Sequence, residues 1–219
     1  MTLSILKRVA IVLLVVIGWF CRPWRPIEHP PGVIVPSDPV QSTVEKMPVQ
    51  KFDEFTLQPM ARYELTARVL RTKHYPAGPG HSLVPFDVAV AWGPMSDQSV
   101  LDKLRISQCN RFFFYQWKDR PPLPREEIVT HSANMHVISA NAKVATLVRW
   151  LRPGEIVRME GYLVNVTGPH GFYWNTSLTR TDTGKGACEL YLVESASLLK
   201  PPSEKVLPEI ASHNAKVRR

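Results

Sequence analysis

Hydrophobic and polar positions alternate through the middle of the chain, which is the pattern of a half-buried β-strand. The clearest run is residues 62–70, where apolar side chains from Tyr63 to Val69 take every second position and polar ones from Arg62 to Arg68 take the others. Successive side chains of a strand point to opposite faces. We therefore expect a strand with one face in the core and the other, carrying Arg68, in solvent.

Strand-like alternation and the helical spacing of apolar residues predict the remaining elements. Residues 111–117 are almost entirely aromatic, so we expect a central strand that is covered on both faces. In residues 141–151 apolar side chains recur at helical spacing, and Pro153 with Gly154 ends the run. Ser96 can cap a second short helix. Further strands are predicted at residues 86–92, 137–138, 155–167, 172–179 and 188–195.

These elements place the chain in a mainly β class with two short helices (α+β). A small closed or partly open barrel buries such strands without leaving bare edges. The order of strands, helix and closing strands is analogous to the oligonucleotide/oligosaccharide-binding (OB) barrel, an analogy of fold that carries no function. The β-rich globular domain is expected to span residues 51–198.

An uncharged run from Val9 to Cys21 follows two basic residues and predicts an N-terminal transmembrane helix. The length of this run is that of a signal peptide's apolar region, so a cleaved peptide is the alternative. A signal peptidase needs small residues before its cut, and Phe20 is not small, so we expect an uncleaved anchor over residues 1–22. It would contact the lipid bilayer through residues 5–21. The short basic N-terminus favours the cytoplasmic side, which places the domain in the periplasm or outside a bacterial inner membrane.

Two further segments flank the predicted domain. Seven prolines between Pro23 and Pro48 predict an extended, semi-rigid stalk over residues 23–50. The segment 199–219 is rich in proline and charge and is expected to be a disordered basic tail. The net charge of +8 divides into +3 on residues 50–198 and +5 on the two ends, so the basic character belongs mainly to the ends.

Residues 131–136 hold several side chains that could carry chemistry: His131, Ser132, Asn134 and His136. Either histidine could act as a base for the serine. The spacing of the histidines is poor for this role, because five residues place them apart on a helix and on opposite faces of a strand. The alternative is a polar loop whose side chains cap backbone groups.

Residues 179–186 combine Arg180, Asp182 and Lys185 with two glycines. Glycine permits positive φ, so successive amides can form an anion-binding nest beside the two cations. The tripeptide that begins at Asp182 also occurs in aspartic proteases, but a single copy without the apolar strand before it is a chance match. The alternative is a tight loop in which Asp182 bonds its own backbone.

The aromatic run at residues 111–117 could stack bases or sugars, although packing in the core is the simpler interpretation. Cys109 and Cys188 could form a disulfide outside the cytoplasm, worth about 4 kcal/mol, or could remain two independent thiols. The cysteine spacing matches no metal site, and no cofactor motif occurs, so neither a metal nor a cofactor is expected.

The chain resembles a group of uncharacterised small bacterial single-span membrane proteins. The likeness rests on residues 92–97, 131–136 and 177–189, and covers most of residues 60–195. No activity attaches to that group. The resemblance therefore implies an envelope setting and supplies no functional residues.

The sequence favours a membrane-anchored binding or accessory module of the bacterial envelope over an enzyme. Its partner would be an envelope protein or an anionic ligand, held by Arg180, Asp182, Lys185, His136 and Asn134. A first alternative is a hydrolase whose candidate catalytic residues are His131, Ser132, His136 and Asp182. A second is a nucleic-acid-binding barrel, which requires a cytoplasmic domain. Because we expect the domain outside the cytoplasm, nucleic acid is not the expected partner.

Overall fold

The structure is a computed structural model that describes residues 11–13, 25–44, 47–179, 184 and 187–201. It confirms a mainly β fold with a few short helices. The strands are β1 (Val40–Thr43), β2 (Gln50–Phe52), β3 (Phe55–His74), β4 (Phe86–Ala91), β5 (Arg105–Cys109), β6 (Phe112–Gln116), β7 (Ser132–Ser139), β8 (Ile156–Thr167), β9 (Tyr173–Trp174) and β10 (Leu190–Leu199). The α-helices are α1 (Gln98–Leu101), α2 (Arg125–Thr130) and α3 (Ala142–Trp150), and two 3₁₀ turns cover Gly93–Ser96 and Pro169–Gly171.

Five strands pair in a closed ring. The order is β3–β4–β7–β10–β8, and β8 pairs again with β3. The 20-residue strand β3 makes this closure possible, because its first part lies against β8 and its last part against β4. The β7–β10 pair is parallel, whereas the other pairs of the ring are antiparallel.

The main core follows from the alternation of side chains along these strands. In β3 the apolar set that begins at Ala61 and Tyr63 is buried, as the period-2 pattern predicts. Helix α3 adds Val144 and Val148 to the same cluster, and Asn141 caps the helix by accepting a bond from the Val144 N–H at 3.0 Å. The predicted helix at residues 141–151 is therefore present and covers the core.

The proline-rich segment does not stand free as a stalk. Its described part before β1, residues 25–39, is irregular and lies along the domain, and we call it the N-terminal strap. Ile34 and Val35 are buried in the main core. The Ile27 N–H donates to the Pro153 carbonyl at 2.8 Å. Prolines disfavour regular secondary structure in the strap, and the two apolar residues between them give it a face to bury.

The strap also changes the environment of Arg68, which was expected in solvent. Arg68 is 3% exposed and donates to the carbonyl of Ser96 at 3.0 Å and to the side chain of Gln98. Burial lowers the pKa of Arg68 to about 10, against the attraction of Asp102 and Asp97, which raises it. Period-2 alternation alone could not predict this, because the cover comes from a distant part of the chain.

The aromatic run was expected as a central strand, and this is wrong. Among the described residues strand β6 pairs only with β5, in a separate two-stranded hairpin. Its residues are half-buried or exposed, with Phe114 44% exposed. Phe113 and Tyr115 pack on a cluster beneath the hairpin, and this leaves the opposite face outside the core. An apolar strand can thus cover a sheet from outside instead of lying within it.

The predicted transmembrane helix falls mostly outside the described residues. Ile11, Val12 and Leu13 are described, and they are helical and exposed. Within the described ranges, no helix is long and apolar enough to cross a bilayer. The predicted tail after residue 201 also lies outside the described residues.

Candidate binding cavity

Residues 131–136 were expected in a loop, but most of them begin strand β7. Apolar and polar side chains alternate there, so Ser132, Asn134 and His136 share one face of the strand. Their partners across β4 are Ala91, Ala89 and Asp87, in that order. The small alanines leave room for another layer over this face. The segment between β4 and β7 forms that layer.

A cavity of about 410 Å³ lies beneath this layer. Its wall combines aromatic side chains of the hairpin with polar side chains of α2, of β7 and of the segment before β10. The lining residues are Trp92, Phe112, Phe113, Phe114, Tyr115, Trp117, Arg125, Val129, Thr130, Ser132, Ala133, Asn134, Thr179, Gly184, Ala187, Cys188 and Glu189. Small-molecule sites have this size and this mixture of aromatic and polar groups.

Asn134 fixes the position of the hairpin at the cavity. Its side-chain oxygen accepts a bond from the Gln108 amide at 2.7 Å, and its amide donates to the Arg111 carbonyl at 3.0 Å. Asn134 and Gln108 are both buried. A buried amide must be satisfied to be tolerated, so these two bonds hold the turn of the hairpin against β7.

Arg111 lies in the two-residue turn of the hairpin. Asn110 and Arg111 have φ of 50° and 69°, as a type I′ turn requires. Arginine rarely adopts a left-handed conformation, and its surroundings compensate here. The Arg111 guanidinium donates to the buried Asp87 carboxylate at 2.8 Å and lies over the Tyr75 ring, 4.0 Å from its centroid. The Arg111 N–H donates to the Tyr75 hydroxyl at 2.9 Å.

His136 completes this ion cluster instead of facing the cavity. Its Nδ1 lies 2.9 Å from the Asp87 oxygen that Arg111 also contacts, and its ring packs on Trp174 at 4.6 Å between centroids. Asp87 is fully buried and His136 is 2% exposed. Burial raises the pKa of Tyr75; the N–H donated by Arg111 opposes this and the Asp87 charge reinforces it. The ion cluster therefore lies next to the cavity and supports the turn of the hairpin.

Of the groups proposed for hydrolysis, the described ones, Ser132, His131 and His136, do not pair with one another; Asp182 lies outside the described residues. The Ser132 hydroxyl donates to the Ile128 carbonyl at 2.6 Å, so neither histidine takes its proton. His131 lies just before the first residue of β7, where its Nδ1 contacts the Glu127 carbonyl at 2.9 Å. A nucleophile needs a base within hydrogen-bond reach, and the described residues do not provide that pair.

Arg180, Asp182 and Lys185 lie outside the described residues. Their described neighbours Thr179 and Gly184 line the cavity.

Cys109 and Cys188 were considered as a disulfide, and no such bond joins them in the described chain. Alternation along β5 buries Gln108 and exposes Cys109. Cys188 instead lines the cavity, with its sulfur 3.8 Å from the Arg111 carbonyl oxygen. The two thiols therefore have different surroundings, one in solvent and one at the cavity wall.

Sequence reasoning missed Asp87, Arg111 and the partnership of Asn134 with Gln108. A signal for Asp87 was available, because a carboxylate within the apolar run at residues 86–91 must be paired if it is buried. Within the described residues, no group of three or more His, Cys, Asp or Glu side chains is suited to a metal ion. Comparisons with protein families, curated proteins and solved structures found no match for the chain.

Proposed function

We propose that this chain is a single-pass membrane protein of the bacterial envelope whose β-rich domain lies outside the cytoplasm and binds a small ligand in the aromatic cavity. The observation that carries the proposal is the cavity itself. Separate segments of the chain build its wall, and an aromatic hairpin forms one side of it. Polar side chains such as Ser132 and Asn134 are held in fixed positions there by hydrogen bonds. A preorganised wall of this kind is suited to binding.

A finer interpretation of the ring is a small OB-like barrel. The ring has five strands, and α3 lies between its third strand, β7, and its fourth, β8. OB barrels bind ligands on their second and third strands and on the loop before the fifth. The cavity lies against β7 and includes Cys188 and Glu189, which precede the fifth strand, β10. This placement supports a binding role by analogy of fold.

The envelope setting rests on the N-terminal sequence. Basic residues precede the apolar run from Val9 to Cys21, and its described part, residues 11–13, is helical and exposed. Exposed apolar side chains in a helix favour contact with lipid. Ile27 of the strap joins the domain soon after this run, so the domain would lie close to the membrane surface.

Ligand binding can be tested through Cys188, in a Cys21→Ser, Cys109→Ser background that leaves it as the only thiol. Indole and phenyl β-glucoside serve as probes with an aromatic ring. We expect either probe to slow alkylation of Cys188, because the probe would cover the cavity wall. Ala187→Leu narrows the cavity and should remove the protection, whereas Ala77→Leu on an exposed loop should leave it unchanged. Equal protection in both variants, or none in the parent, contradicts a binding cavity.

The envelope setting can be tested with a reporter that is active only outside the cytoplasm, fused after Arg219. The expected result is an active reporter and a protein that stays in the membrane fraction after a high-salt wash. Mass spectrometry should find the N-terminal residues retained. Activity of a cytoplasmic reporter alone would contradict the orientation. A new N-terminus near Arg22 would contradict the anchor.

A further inference from the structure

Several polar groups of the cavity wall present lone pairs instead of protons. The Ser132 hydroxyl donates its proton to the Ile128 carbonyl, and the Thr130 hydroxyl donates to the Glu126 carbonyl at 2.8 Å. A hydroxyl has one proton and two lone pairs, so both oxygens can accept from a ligand, and Nδ1 of His131, 3.2 Å from the Thr130 oxygen, can occupy one lone pair there. Asn134 uses one of its two amide protons on Arg111 and can offer the other. A matching ligand must therefore supply mainly hydroxyl or amine protons.

The aromatic side of the wall offers flat apolar faces. Phe113 and Tyr115 have ring centroids 5.6 Å apart, and Tyr115 stacks on Trp117 with an interplanar angle of 22°. Phe114 remains 44% exposed and lines the same cavity. A ligand with one apolar face and a polar edge would satisfy both sides of the wall.

The described part of the wall carries one charged side chain of each sign, Arg125 and Glu189. This balance suits a ligand without net charge.

We propose that the cavity binds a pyranose ring of a neutral glycan, a conclusion that rests on the proposed function of the cavity as a binding site. The C–H face of a pyranose is apolar and suits the aromatic hairpin, while the ring hydroxyls at its edge donate to Ser132 and Thr130. A volume of about 410 Å³ is within the range of small-molecule sites. A glycan ligand would use both sides of the wall: its C–H face would pack on the aromatic side and its hydroxyls would donate to the polar side.

The test uses the full-length chain in lipid nanodiscs, since glycoside detergents carry sugar head groups. Calorimetry measures binding of N,N′-diacetylchitobiose and cellobiose, with adenosine and choline as probes of other classes. We expect at least one disaccharide to bind and adenosine and choline not to bind. Phe114→Ala should weaken disaccharide binding about tenfold, which is about 1.4 kcal/mol, because a stacking aromatic ring is lost. Tyr173→Ala removes an exposed aromatic outside the cavity and should change nothing.

A second pair of variants tests the hydroxyl acceptor. Ser132→Ala should weaken disaccharide binding about fivefold, since a neutral hydrogen bond contributes ~1 kcal/mol. Ser42→Ala, on the exposed strand β1 outside the cavity, is its control. Binding of adenosine or choline alone would overturn the glycan class and leave the cavity as a binding site. Disaccharide binding that is unchanged in Phe114→Ala and Ser132→Ala, or binding of no probe, would also overturn it. Cys188 protection decides separately whether the cavity binds at all.

Discussion

The N-terminal strap and the β5–β6 hairpin both cover the sheet ring from outside, but different interactions hold them. The strap buries Ile34 and Val35 in the core, and its backbone bonds run to Pro153 and Asp97. The hairpin rests on a buried ion cluster at Arg111 and keeps aromatic side chains over a cavity. One cover closes the core and the other leaves a space, so only the hairpin is suited to ligand binding.

The largest effect is expected where the ion cluster is broken. Arg111→Ala leaves the fully buried Asp87 carboxylate without its cation, and we expect a loss of about 3 kcal/mol in the free energy of unfolding. Urea denaturation measures it. Arg105→Ala, at the exposed start of the same hairpin, is the control and should change the value by less than about 0.5 kcal/mol. Equal losses in the two variants would mean that the ion cluster does not hold the hairpin.

A substitution at Gly154, which contacts the strap, is expected to loosen the strap from the domain. This residue has φ of +92°, and a Cβ atom there would lie 2.0 Å from the Ile27 carbonyl oxygen. Gly154→Ala is therefore expected to cost about 2 kcal/mol and to expose the strap to proteolysis. Gly171→Ala isolates the backbone strain, because its φ is +75° and its Cβ would meet nothing within 4 Å. If both glycines behave alike, the strap is not tightly seated at Gly154.

Asp97 links the strap to α1 and gives a pH test. Burial opposes its ionisation, but the N–H of Gly32, the hydroxyl and N–H of Ser99 and the charge of Arg68 together hold the pKa of Asp97 below its ordinary value. The ionised form thus stabilises the fold above the unfolded pKa of about 3.9, and this stabilisation is lost as the pH falls through the lower folded pKa.

Asp97→Asn keeps the capping oxygen and removes the charge, so it should cost about 1 kcal/mol at pH 7. The difference from the wild type should shrink by pH 3. Asp119→Asn, on an exposed loop, should show neither effect. A difference that grows on acidification would reverse the assigned direction of the pKa shift.

The smallest effect is expected at the cysteines. Because Cys109 is exposed and not bonded to Cys188, a reducing agent should leave the free energy of unfolding unchanged. Cys109 should react with a thiol reagent faster than Cys188 at the cavity wall. A loss near 4 kcal/mol on reduction would instead indicate a bridge between them. That outcome would place a covalent link between the hairpin and the segment before β10.

Much of the ring could be predicted from the sequence, because period-2 alternation at residues 62–70 and helical spacing at residues 141–151 are local signals. The strap and the β5–β6 hairpin, which cover the ring, could not be predicted from such local signals. Arg68 follows the polar phase of its strand, yet the strap, the Gly93–Ser96 turn and α1 together bury it. The aromatic run has the composition of a central strand, and only its pairing with β5 shows that it lies outside the ring.

The candidate site was partly visible in residues 131–136. The polar side chains of Ser132, Asn134 and His136 alternate with apolar ones, which already indicates a strand with a polar face. The spacing of His131 and His136 does not show this pattern, because the two histidines differ in phase along the strand. The partners of that face, Asp87 and Arg111, are distant in sequence, and nothing local pairs them. Contacts at such separations depend on the order of strands in the ring.

The strap has a consequence for the order of folding. His29 bonds the carbonyl of Gly154, a residue 125 positions later in the chain. During synthesis the strap emerges before the rest of the domain. The residues that it packs against are in place only after α3 and the turn before β8 have formed. Closure of a loop this long is slow, since its entropy must be lost before the contact forms. Docking of the strap is therefore a late step, and until then the apolar side chains of Ile34 and Val35 stay available to chaperones or to other chains.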